Sequence, residues 1–343
     1  MQSITDQGHI FLAFEAVYSQ QMIQDKEALV LRIKQLKKEK DVVILSHYYM
    51  PAELQFELTD GGFVDFVGDS LGLSVQASKT EATNILFCGV KFMAETALLV
   101  NEGKQVYMPD PSAGCSLASS ISAEDIRGLK KQYPGVPVMG YINTYAETKT
   151  ELDICCTSRN AVAVAASLEG DKIIFVPDVY MGENLQKVIK KELGKDLILW
   201  NGSCEVHEQF RNFLPQMAAD EGAELLFHWE VPEDITGIME TGRKGIVGST
   251  GDILKYVQQS DAKRFYLASE CDLSVALMKE NADKEFVTPC VKCPYMKQNT
   301  LEKLLDALEA IGTPNESAYR VALDKNVIDA AKKPVLRMLE CSN

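Results

Sequence analysis

Short apolar runs rich in β-branched and aromatic residues recur along this chain. Each is stopped by turn or polar residues and separated from the next by a stretch of helical character. Val42-Val43-Ile44-Leu45 ends at Ser46-His47-Tyr48-Tyr49, and Phe63-Val64-Asp65-Phe66-Val67 runs into Gly68-Asp69-Ser70. Asn84 to Cys88 precedes a helical segment from about Phe92 to Asn101, and Lys104 to Met108 leads to Cys115. A second round follows, with Val136 to Asn143, Ile154 to Ser158, Lys172 to Asp178, and Asp196 to Trp200 before Cys204. A third has Glu224 to His228, Gly245 to Thr250, Arg264 to Glu270, and Glu285 to Thr288 before Cys293. Strand–helix alternation of this kind predicts parallel sheets flanked by helices. The expected units are 41–118, 119–208 and 209–298. They are preceded by a helical extension over 1–40, whose first ~20 residues pack on the body or move. Helices over 299–343 are expected to pack on the body without supplying chemistry.

The residues just past each run come in register. The first strand of each round delivers His47, Tyr141 with Asn143, or His228. The second delivers Ser70, Ser158 or Thr250, and the last delivers Cys115, Cys204 or Cys293. These cysteines are separated by two equal intervals of 89 residues, as a three-fold repeated unit would place them. Ligands of open α/β sheets bind beyond the carboxyl ends of strands, so the pattern points to one pocket shared by three domains. The competing explanation for the hydroxyls is that they cap the following helices.

Composition narrows the partners. A net charge of −14 over 343 residues argues against nucleic acid or an anionic membrane as the main partner. No apolar run reaches the ~20 residues a membrane crossing needs. Asp6 and Glu15 interrupt the apolar N-terminus, which does not read as a signal peptide, so a cytosolic protein is expected. Nine cysteines there read as thiols, metal ligands or redox groups and not as structural disulfides.

Three cysteines on separate domains fit structural zinc poorly, since zinc draws four ligands, often in close pairs. They fit an iron–sulfur cluster held by three thiolates, with one iron left open to polarise a substrate atom. His47, His207 and His228, three of only four histidines, fall in the motifs after strands. Glu230 is either a general base or a solvated carboxylate. Hydroxyls at helix N-termini suit small substrates bearing carboxylates or phosphate.

With these motifs in view, the chain from Val42 to Leu305 resembles the quinolinate synthases, iron–sulfur enzymes of NAD biosynthesis. The resemblance is carried by His47-Tyr48-Tyr49, Gly68 to Ser74, Phe87 to Thr96, Ala113 to Ala118 and Tyr141-Ile142-Asn143-Thr144. It continues through Cys204-Glu205-Val206-His207-Glu208, Gly248-Ser249-Thr250 and Cys293-Pro294-Tyr295-Met296-Lys297. It implies three similar α/β/α sandwich domains around a pseudo-three-fold axis with a central active site. There iminoaspartate and dihydroxyacetone phosphate would condense to quinolinate with loss of phosphate and water.

The resemblance further implies one 4Fe–4S cluster per chain on Cys115, Cys204 and Cys293, the last chosen over Cys290 by the Pro-x-Met that follows it. His47 and Ser70 would bind carboxylate, and Tyr49 would be the catalytic tyrosine. Tyr141, Asn143, Ser158 and Thr250 would line the pocket, His207 and His228 would position substrate, and Glu230 would move protons or contact the open iron. An oxidase or dehydrogenase producing iminoaspartate is the implied functional partner. Tyr48, Met50 and Trp229 depart from the family's pattern, Trp229 standing where proline is expected. Two other readings are a different cluster-dependent hydro-lyase and a redox sensor switching a Cys290–Cys293 disulfide.

Overall fold

The computed structural model describes residues 25–55, 61–101 and 103–341. A helix over 25–39 leads into the body, and the expected extension over the first 20 residues lies outside the described part.

The body contains three parallel four-stranded sheets, each with the same strand order. The first has β1 (Val42–His47), β2 (Phe66–Gly68), β3 (Asn84–Cys88) and β4 (Gln105–Tyr107) in the order β2-β1-β3-β4. The second has β5 (Val138–Tyr141), β6 (Ile154–Cys156), β7 (Lys172–Val176) and β8 (Asp196–Leu199) in the order β6-β5-β7-β8. The third has β9 (Glu224–His228), β10 (Gly245–Gly248), β11 (Arg264–Ala268) and β12 (Glu285–Val287) in the order β10-β9-β11-β12. Helices cover both faces, which is why these strands are apolar on both sides. In β9, Leu225 and Phe227 enter one buried cluster, and Leu226 between them enters another with Ile253, Val257 and Leu277. Neighbouring residues of a strand point to opposite faces, so one strand feeds two cores.

The second strand of the first unit is shorter than the apolar run Phe63–Val67 predicts, beginning only at Phe66. Asp65 explains the late start: its N–H donates to Ile44 O and its Oδ2 accepts from Ile44 N at 2.7 Å. The carboxylate thus takes the place of a backbone partner in the ladder.

The C-terminal segment acts as packing. The helix Lys325–Glu340 lies against β6 and the helices Ala146–Lys149 and Lys91–Leu99, burying Val335 and Met338. Just before it, Met108 N donates to Tyr319 O at 3.0 Å and Val321 N to Val106 O at 2.8 Å. This antiparallel step covers the edge that β4 would otherwise leave open.

Candidate active site

One backbone device, used three times, aims the side chains of the pocket. Past the end of the first strand in each sheet, one more residue pairs with the last residue of the neighbouring second strand. Tyr48 N donates to Gly68 O, Ile142 N to Cys156 O, and Trp229 N to Gly248 O, at 3.2, 2.8 and 3.0 Å. The period of two then sends the residues on either side to the same face. These are His47 with Tyr49, Tyr141 with Asn143, and His228 with Glu230. Trp229 therefore keeps Glu230 in place, with a backbone N–H that proline could not supply.

All thirteen residues singled out from the sequence line one pocket of about 710 Å³ empty volume, its open mouth included. Tyr49 N donates to His47 Nδ1 at 3.1 Å, and Glu230 N lies 3.4 Å from His228 Nδ1 in the equivalent bond. The Tyr49 hydroxyl lies 3.1 Å from Ser269 Oγ and 3.4 Å from Thr250 Oγ1. Burial, reinforced by the Glu230 charge, raises its pKa, so it stands as a neutral phenol. Glu230 is buried at the centre. Oε1 accepts a short hydrogen bond from the Tyr141 hydroxyl, and Oε2 lies 2.9 Å from His207 Nδ1. Burial alone would raise its pKa; the His207 and His228 imidazoles and the Tyr141 hydroxyl outweigh that and hold it below the ordinary carboxylate value. The His207 and His228 rings stack at 5.5 Å. Burial presses the pKa of His47 down to about 3 and of His228 down to about 4.

The hydroxyls are not the caps of their helices in the first and third units. Asp69 caps Ser70–Lys79 by accepting from Gly72 N, and Ser249 caps Thr250–Gln259 through a capping box with Asp252. Ser70 and Thr250 sit one position further on, as the first residues of those helices, facing the pocket. In the second unit Asn160 accepts from Thr157 N and closes the turn carrying Ser158.

Each candidate cysteine opens a short helical turn after the fourth strand of its sheet. Ser119 N, Glu208 N and Lys297 N donate to the carbonyls of Cys115, Cys204 and Cys293, four residues back in each case. Burial pushes the Cys115 thiol up to about 12 and raises Cys204 and Cys293 as well, with neighbouring cysteines adding to it at Cys115 and Cys204. Three such thiolates are costly side by side without a cation, and binding a metal centre relieves that cost. Both His207 ring nitrogens lack an aligned hydrogen-bond partner despite the close Glu230 oxygen, and Asn143 Oδ1 is buried without a partner. These groups are left for a bound molecule to satisfy. The donors suit a thiolate-held cluster; Cys204, His207 and Glu230, with ligand atoms within 4.8 Å of one another, form a mixed set sharing one cysteine.

The structure corrects one expectation about the other cysteines. Cys271 and Cys290 form a disulfide, so a structural disulfide exists and Cys290 is not paired with Cys293. Cys271 N donates to Val291 O at 2.9 Å, which lays the two segments side by side and brings the sulfurs together. The short Cys-x-x-Cys spacing obscured a partner 19 residues away.

Sequence reasoning also passed over two buried carboxyls, Asp178 and Glu270, each two residues past the third strand of its sheet. Glu270 Oε1 accepts from Cys293 N at 3.1 Å and pairs with Lys297 at 2.7 Å, fixing the loop of that cysteine. Buried Lys149 was missed too; its ammonium bonds the carbonyls of Ile142 and Thr144, on either side of Asn143. The rule that found His47 and Tyr49, applied to the third strands, would have found both carboxyls.

Comparison with known proteins bears on this arrangement. Residues 31–340 match the family model described as Quinolinate synthetase A protein. The chain belongs to this family. A quinolinate synthase of Sinorhizobium medicae is 40% identical over 309 residues, covering 90% of this chain and 80% of the relative. One from Caulobacter vibrioides is 39% identical over 318 residues, covering 91% and 81%. Quinolinate synthase 2 of Mesorhizobium japonicum is 41% identical over 309 residues, covering 90% and 89%. Membership spans all three sheets and the C-terminal helices. Among the described residues, no helix is long and apolar enough to cross a membrane.

Proposed function

We propose that this chain is a quinolinate synthase, condensing iminoaspartate with dihydroxyacetone phosphate to quinolinate, one phosphate and two waters, in the cytoplasm, for NAD biosynthesis. The observation that carries the reading is the convergence of three thiols, one from each sheet, on a single pocket with a buried Glu230 and a half-buried Tyr49. Cys115, Cys204 and Cys293 would hold one 4Fe–4S cluster, and 41–118, 119–208 and 209–298 are the units that supply them. When bound, the cluster would supply Lewis-acid chemistry to this pocket.

The chain's own groups divide the remaining work. His47 and Ser70 bind a substrate carboxylate, with Ser158 and Thr250 offering hydroxyls to further anionic oxygens. Tyr141 and Asn143 line the wall, and Lys149 holds the backbone on both sides of Asn143. Tyr49, kept protonated, donates a proton; Glu230, kept ionised and hydrogen-bonded by the Tyr141 hydroxyl, accepts one, and His207 and His228 position substrate. Ring formation needs protons both removed and delivered, so two groups held in opposite states in one cavity suit it.

The experiment is turnover by anaerobically prepared protein supplied with both substrates, iminoaspartate coming from an oxidase or dehydrogenase. Quinolinate and phosphate appearing in equal amounts is the expected result. Hydration or dehydration of a small carboxylate without phosphate release would instead make the chain a cluster-dependent hydro-lyase.

A further inference from the structure

Among the described residues no lysine or arginine lines the pocket, while Asp69, Glu230 and Glu270 do. With a net charge of −14, the molecule repels an anion approaching from solvent. One guanidinium, Arg159, stands next to pocket-lining residues and can counter this. Arg159 follows Thr157 and Ser158, which line the pocket, and its side chain is 50% exposed. Its Nη1 lies 3.6 Å from Asp69 Oδ2, beyond hydrogen-bond length. Among the described residues the guanidinium makes no closer polar contact than this, so its planar fork of donors is open to solvent beside the pocket-lining Asp69.

The other side of that guanidinium rests on Gly251, the residue after Thr250. A Cβ at Gly251 would stand 2.8 Å from Nη2, 3.1 Å from Cζ and 3.2 Å from Nε. Arg159 belongs to the second sheet's unit, Asp69 to the first and Gly251 to the third. One side chain thus spans the junction where Ser70, Ser158 and Thr250 meet. A solvated pair as long as Arg159–Asp69 stabilises little by itself, so packing alone is a weak reason for it.

We propose that Arg159 is a specificity-determining residue that binds the phosphate group at the pocket mouth, receiving the phosphorylated substrate and releasing inorganic phosphate. A guanidinium presents paired donors to phosphate oxygens, and the rim is where a departing anion meets water. The bare glycine at 251 leaves room for the fork to stay there. The assignment rests on the reaction proposed above but concerns a residue that reading does not use.

Titration of the anaerobic holoenzyme with inorganic phosphate tests it directly. Arg159→Ala is expected to weaken phosphate binding about tenfold and to raise KM for the phosphorylated substrate similarly, with KM for the imine unchanged. Gly251→Ala, which pushes the guanidinium aside, is expected to reproduce the effect, and the double variant to lose no more than either single one. Phosphate affinity unchanged in Arg159→Ala overturns the proposal, even if thermal stability falls. So do additive losses in the double variant, or a wild type that does not bind phosphate. A wild type that binds phosphate but makes no quinolinate refutes the reaction and leaves this titration to decide Arg159.

Discussion

Tyr49 and Glu230 occupy the same place in two sheets yet are held in opposite proton states, the phenol neutral and the carboxyl ionised. Tyr49→Phe and Glu230→Gln keep the shapes while removing the proton chemistry. Each is expected to lower turnover by about 10²–10⁴-fold with the iron content unchanged, as steady-state kinetics beside iron analysis would read. Near-normal turnover in Glu230→Gln would remove that residue from the mechanism. The histidines give a different signature. His47 and His228 are neutral when folded, with pKa values of about 3 and about 4. Unfolded, both protonate near pH 6.5. Below that pH the unfolded chain holds more protons, so stability falls on acidification until the folded values are reached, by up to about 1.4 kcal/mol per pH unit for each histidine. Denaturant unfolding between about pH 7 and 5 should show a shallower decline in His228→Gln than in the wild type. Equal slopes would mean His228 is not buried and neutral. The strand-end residues were legible because period two and parallel pairing decide their direction. Asp178 and Glu270 obey the same rule past the third strands and were passed over, whereas Lys149, at the end of a helix, was not legible, since a single ammonium in sequence looks like surface until its burial is seen.

Among elements, strands were legible where a β-branched run ended in turn residues, and less so where a side chain joined the ladder, as Asp65 does beside Ile44. The helix Ser70–Lys79 shows how capping separates two neighbouring polar residues. Asp69 takes the cap, and Ser70 is left to face the pocket. The Cys271–Cys290 bridge links the segment after β11 to the loop after β12, where Cys293 sits. Closing a loop of 19 residues is expected to contribute about 3 kcal/mol in the chain-entropy account. Cys290→Ser and Cys271→Ser should each lower the unfolding free energy by about that amount, and a thiol reductant should lower the wild type equally. Both variants should keep their iron. Iron loss in Cys290→Ser with iron retained in Cys293→Ser would reverse the assignment of the two thiols. Sequence spacing suggested only the nearer Cys290–Cys293 pair, as a rival redox-sensor reading, because only the fold lays Cys271 beside Val291.

Over the whole molecule, three sheets of one strand order meet at a pocket that no single unit could form. The cores differ in how they are shared: the first two sheets and the C-terminal helices form one continuous cluster, while the third sheet has its own on each face. The equal intervals of 89 residues carried this architecture in the sequence, since equivalent cysteines in equivalent units fall at equal distances. The central claim is that each unit gives one thiol to one cluster, and iron content per chain in anaerobically purified variants tests it most directly. The wild type is expected to hold about four irons, with Cys115→Ala, Cys204→Ala and Cys293→Ala each losing most of them and Cys155→Ala, buried in β6, keeping them. Full iron retention in any of the first three variants would contradict the account.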